Sequence, residues 1–137
     1  MSHPCATPAR LTPACLTPAR LAQAWAPAGR FARHYVAGKL RHDPLVPALR
    51  ALGAAAPLGH VLDLGCGRGQ FAGLLLAERL ATHVTGIERR PALLAQAAAA
   101  LAAPLFAGGF TPLAGDLTAD RPLPAADTVL LIDVLYQ

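Results

Sequence analysis

A short apolar strand that runs directly into a glycine-rich turn is the feature that most constrains how this chain can fold. Residues 60–64 form the strand, and glycines occupy alternate positions of the turn, residues 65–69. Apolar residues then recur at helical spacing from Phe71 to Leu80. Glycines let the backbone turn sharply and approach a ligand closely, and the helix N-terminus offers unpaired amides. The pattern predicts a nucleotide-binding turn between strand and helix.

Strand-like and helix-like segments alternate through the rest of the chain. A second strand is predicted at 82–87, and an Ala- and Leu-rich helix opens at Pro91 and ends near Ala102. A third strand is predicted at 110–114. The apolar run 128–133 is typical of a strand buried on both faces. This alternation predicts an α/β fold, a Rossmann-like parallel sheet with right-handed crossovers.

Residues before this region are predicted to form a leader and two helices. Residues 1–25 hold a ten-residue repeat and four prolines that oppose regular structure, so we expect a flexible Pro/Ala-rich leader with helix only from Pro18 to Trp25. Residues 26–53 are expected to be the N-terminal helices. Residues 54–137 are expected to be the first part of the main domain.

Each of the two N-terminal helices has its own signals. The first spans 28–42, and the second has Asp43 as N-cap and Gly53 at C′. The predicted buried faces are Phe31, Tyr35, Val36 and Leu40 on the first helix, and Leu45, Leu49 and Leu52 on the second.

The turn, together with the acid that precedes it, resembles motif I of the class I S-adenosylmethionine (SAM) dependent methyltransferases. A dinucleotide-binding turn has the spacing G-x-G-x-x-G, whereas this turn is G-x-G-x-G. The resemblance covers about residues 31–137. It implies strands in the order 3-2-1-4, part of the family's seven-stranded sheet with the C-terminal strands missing. It also implies S-adenosyl-L-methionine as cofactor. The implied cofactor contacts of the turn are Asp63, Gly65, Cys66, Gly67 and Gly69.

The same resemblance gives the turn residues their roles. Gly65 and Gly67 are expected to wrap the methionine part of SAM, and Asp63 helps to hold its amino end. The segment 35–44 resembles a subset of bacterial small-molecule methyltransferases, in which Lys39 faces the carboxylate of SAM or is simply a solvated helix charge. The same two alternatives apply to Arg41.

Three further acids stand where the family places contacts. Glu88 ends the second strand twenty-three residues after Gly65, and its carboxylate is suited to accept hydrogen bonds from both ribose hydroxyls. By the resemblance, Asp116 receives the adenine amino group and Asp133 lies near the methyl group. For Glu88 and Asp116 the alternative is a solvated acid at a strand end. Pro112 removes a ladder donor, which agrees with an edge position for the third strand.

Charge and cysteine content narrow the class of protein. The net charge of +4 comes from the first fifty residues, which hold seven Arg and Lys and one acid. No clustered basic face is evident, so a nucleic-acid partner is not expected. Three scattered cysteines and five histidines show no disulfide or metal spacing. Because the sequence has no membrane-length apolar run and no secretory h-region, a cytoplasmic protein is expected.

The sequence therefore predicts an enzyme, a SAM-dependent methyltransferase acting on a small organic acceptor. The (Asp/Asn)-Pro-Pro-(Tyr/Phe) pattern of enzymes that methylate DNA bases is absent after the fourth strand. Two alternatives stay open, a non-catalytic SAM-binding or structural remnant and an NAD-dependent dehydrogenase. Catalytic residues, the acceptor and the oligomeric state are not indicated. Strands five to seven of the family are not in the chain, so we expect it to be a fragment or a truncated product.

Overall fold

The computed structural model describes residues 16–132, which form a four-stranded parallel sheet packed against helices. The predicted strand order is confirmed, since the strands lie in the order β3-β2-β1-β4. Leu62 of β1 lies opposite Thr85 on one side and Val129 on the other. The strands are β1 (His60–Leu64), β2 (His83–Glu88), β3 (Phe110–Ala114) and β4 (Thr128–Leu131).

Helices precede the sheet and connect its strands. In chain order they are α1 (Pro18–Ala22), α2 (Arg30–His42), α3 (Leu45–Ala55), α4 (Gln70–Ala77) and α5 (Pro91–Leu101), with 3₁₀ segments at Gln23–Ala28 and Pro104–Phe106. The core includes Val61, Val84 and Leu130 from one face of the sheet together with Leu74 and Leu75 of α4. Because all pairings are parallel, the carboxyl ends of the four strands lie at the same edge of the sheet.

The expectation of a flexible leader as far as residue 25 is wrong for its described part. Thr17 accepts a hydrogen bond from the amide of Arg20 and caps α1, which is helical as predicted from Pro18. Leu21 and Trp25 are buried in the core. Pro18 occupies the first turn of α1, where its missing donor is not needed, and the short helical segments that follow place Leu21 and Trp25 in the core. Residues 1–15 lie outside the described residues.

The second N-terminal helix, α3, begins one residue later than predicted, with Pro44 as its N-cap, and it also ends later. Oδ1 of Asp43 accepts from the amide of Leu45 at 2.9 Å. Gly53 is not at C′, because α3 continues to Ala55. A Cβ on Gly53 would lie 2.8 Å from Cδ2 of Leu80, so this glycine serves close packing and not helix termination.

The buried faces of α2 and α3 differ in part from those predicted. Val36 and Leu40 are buried on α2, but Phe31 is 71% exposed. On α3 the buried pair is Val46 and Leu49. Leu52 is 60% exposed and does not belong to the buried face.

The two outer strands, β3 and β4, each pair with one neighbour in the described sheet. Pro112 lies in β3, which pairs only with β2, and the predicted edge position is confirmed. The fourth strand was expected to be buried on both faces up to residue 133, but it ends at Leu131. Val129 is 56% and Leu131 is 47% exposed, because β4 pairs only with β1 and the described residues cover one of its faces.

Candidate functional site

The turn between β1 and α4 adopts a conformation that favours glycine at three positions. The φ angles are +74° at Gly65, +56° at Gly67 and +79° at Gly69, all in the left-handed region. Other residues adopt that region only at a cost of about 1–2 kcal/mol. The alternate glycines therefore follow from the backbone path, which reverses direction at the carboxyl end of β1 before α4 begins at Gln70.

Hydrogen bonds tie this turn to the end of β2. The amides of Gly65 and Cys66 both donate to the carbonyl oxygen of Ile87, at 2.8 and 2.9 Å. The amide of Gly67 donates to Oε2 of Glu88 at 2.9 Å. These three consecutive amides are satisfied within the protein, whereas a pyrophosphate-binding turn presents its amides to the ligand. The arrangement argues against the dehydrogenase alternative.

Glu88 is buried beneath the turn and is engaged by protein donors. Besides the bond from Gly67, its Oε1 accepts from the amide of Arg90 at 3.1 Å and from Nε of Arg90 at 3.3 Å. The Arg90 side chain is 55% exposed, so this ion pair is weak and can be exchanged for a ligand group. A carboxylate has four lone-pair sites, which leaves capacity for a diol once Nε of Arg90 moves away.

Two clefts open on either side of Gly65. Both clefts are open to solvent, and Gly65 lines each of them. The first is lined by Gly65, Ile87, Glu88, Arg89, Gly115, Asp116, Leu117 and Thr118. The second is lined by Tyr35, Lys39, Asp63, Gly65, Cys66, Gly67, Gln70, Phe71, Arg90 and Ile132. Together they form one elongated site that crosses the turn.

Asp116 lies in the first cleft, across from Glu88. Its Oδ1 accepts from the amide and from the hydroxyl of Thr118, at 2.9 and 2.8 Å. These hydrogen bonds, led by that from the amide, lower the pKa of Asp116, and the charge of Arg89 adds to the effect. The carboxylate is therefore held ionised and oriented at the carboxyl end of β3, ready to accept from a donor.

Asp63 lies in the second cleft and is fully buried. Burial, together with the nearby charge of Glu88, raises the pKa of its carboxyl from 3.8 to about 7. An ionised Asp63 is thus unstable in the unliganded protein. A positively charged ligand group in this cleft would favour the ionised form.

The remaining predicted residues of the turn act through packing or backbone. Burial, with the charges of Asp63 and Glu88, raises the pKa of the Cys66 thiol, so this cysteine is not a nucleophile at neutral pH. A Cβ on Gly69 would lie 2.9 Å from Cδ1 of Leu101, which shows that Gly69 lets α5 pack against the turn. A Cβ on Gly67 would meet nothing within 4 Å, so the surface at Gly67 opens into the cleft.

The structure thus brings Asp63, Gly65, Gly67, Glu88 and Asp116 to one site, and their contacts with a cofactor remain predictions. Lys39 lines the second cleft and forms an ion pair with Asp43 at 3.4 Å. Arg41 is exposed and lines neither cleft. Asp133 lies outside the described residues.

Sequence reasoning missed the contact of the N-terminal segment with the turn. Nε1 of Trp25 donates to the carbonyl oxygen of Arg68 at 2.7 Å. The Arg68 guanidinium lies over the rings of Tyr35 and Phe31, at 4.6 and 5.3 Å from their centroids. The one available signal was Gly73 in the middle of α4, a costly residue there. Its missing Cβ makes room for the indole ring of Trp25.

Comparison with known proteins agrees with the site. Residues 61–136, more than half of the chain, match the family model described as "Methyltransferase domain". The chain therefore belongs to the SAM-dependent methyltransferase family. Methyltransferases of this fold use S-adenosylmethionine.

Individual relatives match over limited lengths. A 42-residue stretch is 55% identical to trans-aconitate 2-methyltransferase of Klebsiella pneumoniae (strain 342), and it covers 31% of this chain and 17% of that protein. A SAM-dependent methyltransferase structure from Mesorhizobium loti is 32% identical with a TM-score of 0.49, and the match covers 66% of this chain and 40% of that one. The methyltransferase domain of bacterial CtHen1-CN is 23% identical with a TM-score of 0.47, covering 61% and 44%. The chain spans less than half the length of each of these proteins.

Two structural features of residues 16–132 concern membranes and metals. None of their helices is long and apolar enough to cross a membrane. No group of three or more His, Cys, Asp and Glu side chains in this part of the chain is placed to hold a metal ion. The charged side chains of the two clefts are three carboxylates, of Asp63, Glu88 and Asp116, and three cations, of Lys39, Arg89 and Arg90.

Proposed function

We propose that this chain binds S-adenosylmethionine across the two clefts and forms the cofactor-binding part of a methyltransferase for a small organic acceptor. The observation that carries the proposal is the placement of three carboxylates along one elongated site. Glu88 and Asp116 line the first cleft, Asp63 lines the second, and Gly65 lies between them. The amides of residues 65–67 donate to Ile87 and Glu88 and are not presented to a phosphate, which favours a ligand that has a nucleoside and a cationic end.

Each carboxylate has a partner of matching chemistry in that ligand. Glu88 accepts from the ribose diol after its contact with Nε of Arg90 is exchanged, and its bond from Gly67 keeps the turn in place. Asp116 accepts from the adenine amino group. Asp63 faces the amino end, and its ionised form is stabilised there by the opposite charge.

Bound SAM supplies a methyl group that is already activated on a sulfonium. The protein's own task is then to orient an acceptor and exclude water, and such positioning supplies about 7–11 kcal/mol of a barrier. Lys39 and Arg90 line the second cleft and give it two cationic side chains. The name of the Klebsiella relative makes small polycarboxylates the first acceptors to test. An assay of methyl transfer from SAM to such acceptors tests the non-catalytic alternative.

Calorimetric titration of the chain with SAM, S-adenosylhomocysteine and NAD tests the proposal. We expect the first two ligands to bind and NAD not to bind. In Glu88→Ala, the affinity for SAM should fall roughly tenfold to a few hundredfold, since two charge-assisted hydrogen bonds share one carboxylate.

Glu78→Ala is the matched control for this loss. It removes a carboxylate that pairs with Arg50 and lines neither cleft, so its affinity for SAM should equal that of the wild type. Unchanged affinity in a folded Glu88→Ala protein would remove Glu88 from the site. Tight binding of NAD would replace the proposed function by the dehydrogenase.

A further inference from the structure

The N-terminal segment holds the glycine-rich turn by two separate contacts on one residue, Arg68. Its carbonyl oxygen accepts the indole N–H of Trp25, forty-three residues away, at 2.7 Å. Its guanidinium lies over the rings of Tyr35 and Phe31, which are themselves stacked with centroids 6.1 Å apart. Backbone and side chain of the same turn residue are therefore fixed from one direction.

Trp25 is itself rigidly placed. It is the only tryptophan of the chain and is fully buried. Its ring packs edge-to-face against Phe106, with centroids 6.2 Å apart and an interplanar angle of 72°. A Cβ on Gly73 would lie 2.8 Å from Cη2 of the indole, so the ring lies directly on α4. A donor with so little freedom is suited to define the orientation of its acceptor.

The carbonyl oxygen of Arg68 needs a fixed hydrogen-bond donor because both residues next to Arg68 are glycines. Arg68 lies between Gly67 and Gly69, and both glycines have positive φ. Glycine populates many backbone conformations, so the peptide planes around Arg68 are weakly determined by local sterics. The bond from Gly67 to Glu88 fixes one side of the turn, and the bond from Trp25 fixes the other.

The second contact of Arg68 is that of its guanidinium with the two aromatic rings. Among the described residues, Nε of Arg68 is buried and has no hydrogen-bond partner. The two ring faces compensate in part, since a cation over an aromatic face is attracted to it. The Arg68 side chain is thus held against the N-terminal segment by ring faces.

We propose that Trp25 is a positioning residue of the cofactor site, which fixes the peptide of Arg68 through its indole N–H and so holds the turn in the form that binds SAM. This inference rests on the proposed function. It makes the segment 18–40 part of the site and not an appendage of it.

The sharpest variant replaces Trp25 by β-(3-benzothienyl)alanine, which keeps the ring shape and removes the N–H. We expect the affinity for SAM to fall about tenfold, the equivalent of one lost hydrogen bond. Hydrogen exchange of the Gly67 and Gly69 amides should become faster by about the same factor, while exchange at Val84 in β2 stays unchanged. A role in packing alone would leave both quantities as in the wild type.

Leu49→Ala is the control for a general loss of stability. Leu49 is buried in the core on α3 and lines neither cleft. This variant should melt at a lower temperature, yet bind SAM as the wild type does when measured well below its melting temperature. Equal weakening of SAM binding in Leu49→Ala and in the isostere would overturn the positioning role.

A second route moves the indole without removing its donor. Gly73→Ala should displace the ring of Trp25 and weaken SAM binding, and it should add no further loss in the Trp25 isostere. Unchanged affinity and exchange in the isostere contradict the inference while leaving the proposed function intact. Failure of the wild type to bind SAM overturns the proposed function instead, and the exchange rates alone then decide whether Trp25 holds the turn.

Discussion

The centre of the sheet and its β4 edge differ sharply in how far their side chains are buried. Val61 and Val84 of the central strands are fully buried, whereas Val129 and Leu131 of β4 are about half exposed. The central strands carry the turn, Glu88 and Asp63 on a frame of internal hydrogen bonds. Among the described residues, the β4 side contributes Ile132 to the second cleft. Cofactor binding should therefore depend on the centre and its N-terminal support, and little on β4.

Removal of the N-terminal support should have the largest effect. Deletion of residues 1–25 removes buried Leu21 and Trp25, and loss of a buried Trp alone costs about 3–5 kcal/mol. We expect the melting temperature to fall by more than about 8 °C, given about 4–8 °C per kcal/mol in a small domain. Calorimetry compares this deletion with removal of residues 1–15, which keeps every described contact. Equal melting temperatures would show that the segment adds nothing.

Gly67→Val should have the next largest effect, on binding. A β-branched side chain is strained at a φ of +56° and points into the open cleft. We expect the affinity for SAM to fall by more than about a hundredfold, or about 2.7 kcal/mol. Gly108→Val is the matched control, because Gly108 has a φ of +68°, an open Cβ direction and a position before β3, at the opposite edge of the sheet. A similar loss in both variants would attribute the effect to backbone strain.

Asp63 should make SAM binding depend on pH. With its pKa at about 7, the unliganded carboxyl is protonated below that pH, and a cationic ligand group must then displace the proton. The affinity should weaken by up to about tenfold per pH unit as pH falls below 7. Calorimetric titrations between pH 5 and 8, to be carried out at roughly constant ionic strength, measure this slope. Asp63→Asn should bind weakly with no such slope.

Asp63 should also make the stability of the fold depend on pH. Affinity for SAM should rise with pH, whereas stability should fall. Because the folded pKa of about 7 lies above the ordinary value of 3.8, the folded state binds the extra proton between these values, and stability falls as pH rises through this window. Asp63→Asn should therefore melt like the wild type near pH 4 and higher than it at pH 8. A lower melting temperature of the variant at pH 8 would contradict the cost of the buried charge.

The smallest effect should be found at the β4 edge. Val129→Thr changes an exposed side chain and should alter the free energy of unfolding by no more than about 0.5 kcal/mol. Val61→Thr is its buried counterpart on the neighbouring strand, where an introduced hydroxyl costs about 1–3 kcal/mol. Urea unfolding of both variants measures the contrast. Similar losses would mean that β4 is as well covered as the centre.

Local signals in the sequence were sufficient for the four strands and for the conformation of the glycine-rich turn. Whereas the strand order and the roles of Asp63 and Glu88 were implied by the resemblance to the methyltransferase family, alternation of apolar strands and helical spacing predicted the strands and helices, and the glycine spacing predicted the turn. These features are set by backbone sterics and by short-range hydrogen bonds, which neighbouring residues largely determine. Asp43 at the start of α3 and Pro112 at an edge followed from the same kind of reasoning.

Contacts between distant segments were decided only by the tertiary structure. The prolines of residues 1–25 predicted a flexible segment, so the burial of Trp25 was not expected. Proline content affects whether a segment forms regular structure, but it does not indicate which surface a short helix covers. Gly53 and Gly69 make room for Leu80 and Leu101, a role that no local pattern distinguishes from a helix end or a ligand contact. The exposure of Val129 likewise depends on what packs over β4. The sequence by itself determined the strand, the turn and their chemistry, whereas the three-dimensional packing determined which segments support them, because burial and clearance are properties of distant neighbours.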